Sequence, residues 1–418
     1  MEIQMMPLKN MDVRGKTVIC RLDINSPIDV QTRKIVNQNR INKSIPTMKY
    51  LMEGGAKVAV LAHQGDTLDY QNLMPLEEHA KLLGDAVGKP IRYIDDVCGP
   101  AAQETVKNLK EGEAVILGNV RYLSEEMSTF EKDVKLTAEE MTETWLVRSL
   151  APLADLYVND AFAAAHRNAP SMVAFQEKLP TAAGFLLFDE YEALSKVLHG
   201  ASKPSVFVLG GAKISDAFGM MRTVLENGTA DNILTSGITK DVMLCAAGVD
   251  VGENAISFLK SKDLYVFVDE AKDLLANYSD RIHMPKDVAI VVDGKRIEID
   301  VADMPSEHSY LDIGEKTIAE YRDIILNAGT IFANGPAGVY EKELTEKGTR
   351  SIWQAIADSK GYSVIGGGDT VTSATKFIDL KNISYVCTAG GAMVRFMSGK
   401  KLPLVAAMEK AYARDSKA

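Results

Sequence analysis

The stretch NRINKSIPTMKYLMEGGAKVAVLAHQG, residues 39–65, joins a helix-like segment to a short apolar run that ends in polar residues. The segment before the two glycines has the length and pattern of a helix, whereas KVAVL is a β-branched run of strand length. The same succession recurs through the first half of the chain, where strands are expected at KTVICRL, AKVAVLAH, EAVILGNV and LYVNDAF. Alternation of this kind predicts repeated βα units, and therefore a parallel sheet covered by helices.

The second half of the chain repeats this rhythm after residue 200. Strands are expected at SVFVLGGAK, DNILTSG, AIVVD, TIFANG, YSVIGGGDT and ISYVCTAGG. Between the halves lies LLFDEYEALSKVLHG, residues 186–200, a helical pattern that ends in glycine and is soon followed by Pro204, as expected for a connecting helix. The predicted fold is therefore α/β, with two doubly wound parallel-sheet (Rossmann-like) domains joined by a hinge helix.

The composition is that of a globular protein with more residues than one compact core holds. The chain has 418 residues, of which 46% are hydrophobic and 25% charged, so two domains of ordinary size are expected. A formal charge of −10 repels nucleic acid and anionic membranes, which argues against partners of either kind.

The cysteines and the N-terminal segment predict a cytoplasmic protein. Cys20, Cys98, Cys245 and Cys387 have neither paired nor metal-like spacing, which favours reduced thiols in the core. The first 16 residues lack the basic and then apolar order of a signal peptide, and no apolar run in the sequence reaches membrane-spanning length.

Basic residues follow the predicted strands of the first half. These residues are Arg21, His63, Arg121 and the pair His166-Arg167, while Arg40 begins the helix-like segment quoted above. Ligands of open α/β sheets bind beyond the carboxyl ends of the strands, so these groups are expected to share one edge of the sheet. Singly, each is more simply explained as a surface charge. Together they predict an anion site, because converging guanidinium groups repel one another unless carboxylate or phosphate neutralises them.

Glycine clusters follow the predicted strands of the second half. They are Gly210-Gly211-Ala212-Lys213, Asn334-Gly335-Pro336-Ala337-Gly338, Gly366-Gly367-Gly368-Asp369-Thr370 and Thr388-Ala389-Gly390-Gly391. Glycine lets backbone N–H groups approach a phosphate closely, and a helix that starts there adds its positive end. One such cluster also satisfies the sterics of a tight turn, but four in one domain indicate nucleotide binding.

Lys213 and Asp369 add charge to these clusters. Lys213 supplies a mobile positive charge beside two glycines, and Asp369 stands at a predicted helix start. Two interpretations of Asp369 stay open, because an aspartate in this position is suited both to holding Mg²⁺ and to capping the helix.

Two nucleotide-binding motifs are absent from the sequence, and their absence narrows the type of reaction. The sequence has no P-loop pattern and no strand-anchored dinucleotide fingerprint followed by an acid about 20 residues later, which disfavours hydride transfer. One domain with cationic strand ends and one with glycine-rich strand ends suggest two anionic substrates, one of them a nucleotide. Phosphoryl transfer fits, because it requires mainly positioning and charge neutralisation.

Ten motifs, in order and covering nearly the whole chain, resemble those of phosphoglycerate kinases, and LAHQG resembles the archaeal branch of that family. They are RLDINSP, NQNRI, LAHQG, NVRYLSEE, VNDAFAAAHR, LGGAKISD, DIGEKT, NGPAGVYE, VIGGGDT and CTAGGAMVRFMSGKKLP. The resemblance implies reversible phosphoryl transfer between ATP and the carboxylate of 3-phosphoglycerate, with Mg²⁺ as cofactor. It also implies an acid-binding domain at residues 1–185, a hinge helix at 186–200, a Mg-nucleotide domain at 201–401, and residues 402–418 packed on the first domain.

Roles for individual residues follow from the same resemblance. The residues implied to bind the acid are Arg21, Asp23, Asn25, Arg40, His63, Arg121 and Arg167. Those implied to bind the nucleotide are Lys213, Asn334, Glu341, Gly366, Gly367, Gly368, Asp369 and Thr370, with Glu341 on the ribose and Asp369 on the metal. Arg40, Lys213, Gly390 and Gly391 are implied to act in the transfer itself.

Departures from the family pattern leave the identity of the acid in question. Asp66 stands where the family has an arginine that helps bind the acid, and Gly118, Ala217, Ala333 and Ala389 also differ from common family residues. Loss of one charge-assisted hydrogen bond costs about 1.5–3 kcal/mol, or about ten- to a hundredfold in affinity. Three interpretations stay open: an ordinary phosphoglycerate kinase, a relative that phosphorylates another carboxylic acid such as an amine-bearing one, and a catalytically weak nucleotide-binding regulatory relative.

Overall fold

The computed structural model describes residues 3–65 and 73–416, and the chain forms two compact units. The first unit runs to residue 192 and resumes at residue 401, and the second comprises residues 193–400. Each unit is built around a parallel sheet, which confirms the predicted α/β class. The substrate that each unit binds stays a prediction.

The strands of the first unit form one parallel sheet. Their bounds are β1 Thr17–Leu22, β2 Lys57–Leu61, β3 Ile91–Tyr93, β4 Ala114–Ile116, β5 Leu156–Asp160 and β6 Thr181–Ala183. The strand order is β3-β4-β2-β1-β5-β6. The predicted runs form β1, β2, β4 and β5, which are buried almost from end to end, as is typical of parallel strands covered on both faces. The two edge strands, β3 and β6, are too short to produce a recognisable apolar run.

The helices of the first unit follow these strands along the chain. Up to the connecting segment they are α1 Asn39–Glu53, α2 Glu77–Val87, α3 Pro100–Lys107, α4 Ser128–Val134, α5 Trp145–Leu150, α6 Pro170–Val173 and α7 Phe185–His199. Ile41 and Met48 lie on one face of α1 and are buried in the same core as Val18 of β1 and Val58 of β2. Gly55 has a φ of 82°, which glycine adopts without strain, and so lets the chain turn from α1 into β2.

The second unit repeats the architecture and adds a small second sheet. Its strands are β7 Ser205–Leu209, β8 Asn232–Thr235, β9 Ile282–His283, β10 Asp287–Val292, β11 Lys295–Asp300, β12 Asp312–Ile313, β13 Thr330–Asn334, β14 Tyr362–Ile365 and β15 Tyr385–Val386. The parallel sheet has the order β15-β14-β13-β7-β8-β9. Its helices are α8 Ile214–Glu226, α9 Gly237–Ala246, α10 Glu253–Ser261, α11 Val268–Tyr278, α12 Glu315–Leu326, α13 Lys347–Asp358, α14 Gly368–Phe377 and α15 Gly391–Met397.

The expectation that AIVVD belongs with the parallel strands is wrong. This run lies in β10, which pairs antiparallel with β11 and β12 in a separate three-stranded sheet. Asp293 and Gly294 join β10 to β11 with φ angles of 49° and 72°, and a two-residue hairpin of type I′ needs a positive φ at both positions. The Asp-Gly pair therefore turns the chain back at once, where a βα unit would continue into a helix.

The connecting helix and the C-terminal helix complete the chain. Helix α7 coincides with the predicted connecting helix, and the division between the units falls within it, after residue 192. The last helix, α16 Pro403–Asp415, belongs to the first unit. There Arg414 donates to the Leu179 carbonyl oxygen at 2.8 Å, and Lys410 pairs with Glu177 at 2.7 Å.

The structure also shows the state of the four cysteines and the apolar character of the helices. None of the four cysteines forms a disulfide. Cys20, Cys98 and Cys387 are buried, whereas Cys245 is half-buried. Of the helices within residues 3–65 and 73–416, none combines the length and the apolar character needed to span a membrane.

His79 of α2 is a fully buried histidine that holds the loop after β2. Its Nε2 donates to Gln64 Oε1 at 2.9 Å, and the same oxygen accepts from the Ser26 backbone at 2.8 Å. Burial lowers the pKa of His79 from 6.5 to about 4. Between these values the unfolded chain binds a proton that the folded chain does not, so stabilisation present above pH 6.5 is lost as the pH falls toward 4.

We expect His79 alone to remove about 3 kcal/mol from the free energy of unfolding between about pH 7 and pH 4. Urea unfolding of the wild type and of His79→Gln, whose amide keeps a donor for Gln64, measures this contribution. The variant should show a flatter pH dependence by that amount, whereas His308→Gln, at an exposed histidine, should follow the wild type. Parallel curves for all three proteins would contradict the assignment.

Candidate active site

Arg21 and His63 form the centre of a basic cluster at the carboxyl edge of the first sheet. Arg21 lies near the end of β1, and His63 follows the end of its parallel neighbour β2. Both are almost fully buried, and Arg21 Nη2 contacts His63 Nδ1 at 3.0 Å. Because a guanidinium only donates, Nδ1 is the acceptor and the proton of the neutral ring lies on Nε2. His63 therefore offers its Nε2–H as a hydrogen-bond donor.

The charges of four arginines act on His63. Burial lowers the pKa of His63 well below its ordinary value, and the charges of Arg21, Arg121, Arg40 and Arg167 lower it further. Both effects favour the neutral imidazole, so His63 carries no charge at neutral pH. The arginines are far apart in the sequence, and in the fold the charge of each acts on the same imidazole. That they form an anion site stays a prediction. A cluster of this charge gains free energy when it binds an anion.

Asp23 and Asn25 orient one side of the cluster. Asp23 is 3% exposed and accepts from Arg40 Nη1 at 2.8 Å. Arg40 lies in the first turn of α1 with 33% of its side chain exposed, so its guanidinium has donors left after this pairing. Asn25 Oδ1 accepts from the Gly65 backbone at 3.2 Å. Asp23 thus orients Arg40, and Asn25 fixes the loop that carries His63.

Arg121 and Arg167 are held by the loops around them. Arg121 Nη1 donates to the carbonyl oxygen of Gly65. Arg167 Nε pairs with Glu131 Oε2 at 2.7 Å, and Glu131 Oε1 accepts from the Asn168 backbone at 2.8 Å. One carboxylate therefore holds both the side chain and the loop of Arg167.

Ser171 and Glu126 hold the Arg21 side chain in place, and neither was predicted from the sequence as a site residue. Arg21 Nε donates to Ser171 Oγ at 3.0 Å, and Ser171 Oγ donates to Glu126 Oε2 at 2.7 Å. Glu126 is 4% exposed, and its Oε1 accepts from the Ser171 backbone at 2.6 Å. Burial raises the pKa of Glu126, whereas Ser171 and Arg21 lower it. These hydrogen bonds fix the plane of the Arg21 guanidinium group. In the sequence, Glu126 could be found only by its place at the end of NVRYLSEE, and no local pattern points to Ser171.

Three loops of the second unit pack backbone against backbone at the carboxyl edge of its parallel sheet. They follow β7, β8 and β13. Gly211 donates to the Pro336 carbonyl oxygen at 2.8 Å, and Gly237 donates to that of Ala337 at 2.9 Å. A Cβ at Gly210 would lie 2.4 Å from the Pro336 oxygen. Steric demands of this packing explain the glycines in these loops without reference to a ligand.

Asn334 and Thr370 tie the loop after β13 to the loop after β14. Asn334 Nδ2 donates to the Gly366 carbonyl oxygen at 2.7 Å, and Thr370 Oγ1 accepts from the Gly335 backbone at 2.8 Å. Gly367, with a φ of 101°, is the N-cap of α14, and a Cβ there would lie 2.8 Å from Asn334 Nδ2. In this structure both side chains order the loops that carry the glycines.

Gly368, Gly390 and Gly391 have open space beside them. A Cβ at any of the three would meet no other atom within 4 Å, and none of them has a positive φ. Neither a positive φ nor packing requires glycine at these positions, and the sequence predicts close approach of a ligand to the backbone there. Gly390 and Gly391 are the N-cap and first residue of α15, where the sequence predicts a helix start.

Lys213 and Asp369 are exposed at helix starts. Lys213 is the N-cap residue of α8. Asp369 lies in the first turn of α14, whose N-cap is Gly367, and no side chain caps that helix. The interpretation of Asp369 as the N-cap is therefore wrong. Its carboxylate is available for a metal ion instead.

A Mg²⁺ ion in the second unit would depend on one protein carboxylate. Within residues 3–65 and 73–416, no group of three or more His, Cys, Asp or Glu side chains is arranged to hold a metal. Mg²⁺ that is bound together with a nucleotide needs only one or two carboxylates, since phosphate oxygens and water complete its shell. Asp369, exposed next to the open backbone at Gly368, fits this requirement.

A cavity of about 260 Å³ opens beside these loops. Its walls include Pro336, Tyr340, Glu341 and Asp369. Burial raises the pKa of Tyr340, and Glu341 and Asp369 add to this effect, which places both carboxylates near the same ring. Apolar walls with a few charged groups suit a nucleoside that carries phosphates.

The predicted residues thus fall into two groups, one in each unit. The first contains Arg21, Asp23, Asn25, Arg40, His63, Arg121 and Arg167, and the second contains Lys213, Asn334, Glu341, Gly366, Gly367, Gly368, Asp369, Thr370, Gly390 and Gly391. Asp66, whose charge raised the question of the acid, lies outside the described residues.

Comparison with known proteins gives matches over nearly the whole chain. A family model for phosphoglycerate kinase matches residues 8–400. The phosphoglycerate kinase of Methanothermus fervidus is 42% identical over 410 residues, with 98% of each chain covered. That of Pyrococcus furiosus is 39% identical over 416 residues, with 99% of each chain covered.

Solved structures agree with these matches. The phosphoglycerate kinase of Pyrococcus horikoshii OT3 has a TM-score of 0.87 at 37% identity, covering 98% of this chain and 100% of that one. The enzyme of the same name from Coxiella burnetii has a TM-score of 0.82 at 31% identity, covering 97% of this chain and 99% of that one. Sequence, fold and ordered motifs agree, and this chain belongs to the phosphoglycerate kinase family.

Proposed function

We propose that this protein transfers a phosphoryl group reversibly between ATP and the carboxylate of 3-phosphoglycerate, with the acid bound by the first unit and the nucleotide by the second. The products are 1,3-bisphosphoglycerate and ADP, so the protein is a phosphotransferase with a carboxyl group as acceptor. The observation that carries the proposal is the buried contact of Arg21 with His63 at 3.0 Å at the carboxyl edge of the first sheet, where the charges of Arg40, Arg121 and Arg167 also act on the imidazole. The alternatives of another acid or of a regulatory role gain no support from the relatives.

The first unit neutralises the charge of the acid and orients its carboxylate. Arg21, Arg121 and Arg167 neutralise its phosphate group, and His63 donates its Nε2–H. Arg40, oriented by Asp23 at 2.8 Å, holds the attacking carboxylate oxygen. The acid is already ionised at neutral pH, so no general base is needed. His63 accordingly binds the acid and moves no proton in the chemical step.

The second unit binds the nucleotide along the cavity and the open backbone beside it. Glu341 accepts from the ribose hydroxyls, and the backbone at Gly368 approaches the phosphates. Asp369 would hold Mg²⁺, which when bound neutralises charge on the phosphate oxygens. Asn334 and Thr370 contribute by ordering the loops through the contacts at 2.7 and 2.8 Å described above.

The transfer forms one bond and breaks one. A carboxylate oxygen of the acid attacks the terminal phosphorus of ATP in line, and the bond from that phosphorus to its bridging oxygen breaks, which releases ADP. Lys213 and the backbone N–H groups at Gly390 and Gly391 stabilise the charge on the equatorial oxygens. The reverse reaction uses the same groups.

We place the protein in the cytoplasm, with small molecules as its partners. Its reactants are a phosphorylated acid and an adenine nucleotide, with no role for nucleic acid or membrane. Four cysteines without a disulfide are typical of a protein from a reducing compartment.

A hydroxylamine trap for acyl phosphate tests the activity directly. Purified protein with Mg-ATP and 3-phosphoglycerate should form the hydroxamate, and omission of any one component should abolish it. A panel of other carboxylic acids, including amine-bearing ones, is run in parallel. Hydroxamate from another acid and none from 3-phosphoglycerate would contradict the proposal and assign a different substrate.

A further inference from the structure

Helix α9 contains a buried ion pair that the proposed reaction does not use. Lys240 is 2% and Asp241 13% exposed, and both lie on the wall of the cavity in the second unit. Lys240 Nζ contacts the two oxygens of Asp241 at 2.9 and 3.1 Å and the carbonyl oxygens of Gly237 and Tyr310, each at 3.1 Å. An ammonium group has three protons, so Lys240 has none left for a ligand.

Asp241, by contrast, retains acceptor capacity. A carboxylate accepts about four hydrogen bonds, and over residues 3–65 and 73–416 Lys240 is the one group that donates to Asp241. Each oxygen of Asp241 has Lys240 as its partner and can still accept a second hydrogen bond from a ligand. The carboxylate therefore favours a ligand that brings an N–H donor into the cavity.

The carboxylates of the cavity fall into two sets. Asp241 lies toward Tyr310, because the Lys240 ammonium that contacts Asp241 at 2.9 Å also contacts the Tyr310 carbonyl oxygen at 3.1 Å, whereas Glu341 is next to Tyr340 in the chain and the charge of Asp369 also acts on Tyr340. In the proposed function, Glu341 and Asp369 serve the ribose and the metal-bound phosphates. The side of Asp241 is then left for the nucleobase, which is uncharged and is not repelled by a carboxylate as a phosphate is.

We propose that Asp241 accepts a hydrogen bond from the 6-amino group of adenine and so selects adenine over 6-oxopurines, an inference that rests on the proposed function. Adenine presents N–H donors at this position, whereas a 6-oxopurine presents a carbonyl acceptor. Opposite the Asp241 carboxylate, the carbonyl group of a 6-oxopurine would place two hydrogen-bond acceptors face to face with no proton between them. Lys240 is a positioning residue, because its contacts hold the carboxylate in place.

Titration calorimetry of the full chain with ADP and with IDP, whose base is the 6-oxopurine hypoxanthine, measures this preference. The wild type should bind ADP about 10- to 100-fold more tightly than IDP. In Asp241→Asn the side-chain oxygen stays on Lys240 and the NH₂ group faces the cavity, so the preference should vanish or reverse. Asp269→Asn, at a 92% exposed aspartate of α11, is the control and should keep the wild-type ratio.

A second variant covers the case in which Asp241→Asn does not fold. Lys240→Met combined with Asp241→Leu removes the ion pair as a unit, which buried sites tolerate better than the loss of one partner. It should bind ADP and IDP with equal affinity, and a thermal melt checks its fold. A wild-type ratio near one, or an unchanged ratio in the variants, would overturn the inference and leave the proposed function intact. Failure of the wild type to bind either nucleotide would overturn both.

Discussion

Replacement of Lys213 by alanine is expected to lower kcat by about 10²–10³-fold while the dissociation constant of MgADP changes by less than about threefold. Lys213 is exposed at the start of α8 beside Gly210 and Gly211. In the proposed mechanism its ammonium acts on the charge that spreads over the transferring phosphoryl group, and interactions made only in the transition state appear in kcat.

Steady-state kinetics and titration with MgADP separate the two quantities. Lys262→Ala, at an exposed lysine that follows α10, is the matched control and should behave as the wild type. Lys213→Arg keeps the charge at a different reach and should recover part of kcat. A loss of nucleotide affinity with unchanged kcat would refute the role in the transition state and make Lys213 an ordinary phosphate ligand.

The central strands could be predicted because parallel strands are buried on both faces. TVICRL and KVAVL are apolar for this reason, and each stands out against the helix-like segments around it. Edge strands such as β3 offer three residues with mixed burial and leave no such pattern. The run AIVVD has the composition of a buried strand, and only the Asp293-Gly294 pair after it indicates that it turns back into a hairpin.

Site residues that follow the end of a strand can be predicted from the sequence, whereas residues that tertiary contacts bring to the site cannot. Arg21 and His63 each stand just beyond or near the end of an apolar run, so the parallel sheet places them side by side. Ser171 contacts Arg21 although 150 positions separate them in the sequence, and no spacing rule reaches that far. The pair Lys240-Asp241 did leave a local trace, since two charges interrupt the apolar helix GITKDVMLCA.

Replacement of Arg40 by alanine is expected to reduce kcat/KM for 3-phosphoglycerate by about 10²–10³-fold and to lower the free energy of unfolding by about 1–3 kcal/mol. The first effect comes from losing the donor proposed for the attacking oxygen. The second comes from leaving Asp23, 3% exposed, without the cation that lies 2.8 Å from it. Because 33% of the Arg40 side chain is exposed, the stability loss should stay below that of a fully buried pair.

Arg40→Lys separates these two effects. Lysine at the first turn of α1 keeps one positive charge that can pair with Asp23, but it lacks the guanidinium fork that contacts Asp23 and the acid at once. We therefore expect urea unfolding close to that of the wild type and a kcat/KM that stays at least about tenfold lower. Arg92→Ala, which removes an exposed arginine of β3 paired with Glu113 at 3.7 Å, should change neither quantity. Equal recovery of stability and of kcat/KM in Arg40→Lys would mean that Arg40 contributes charge alone and that another donor holds the attacking carboxylate.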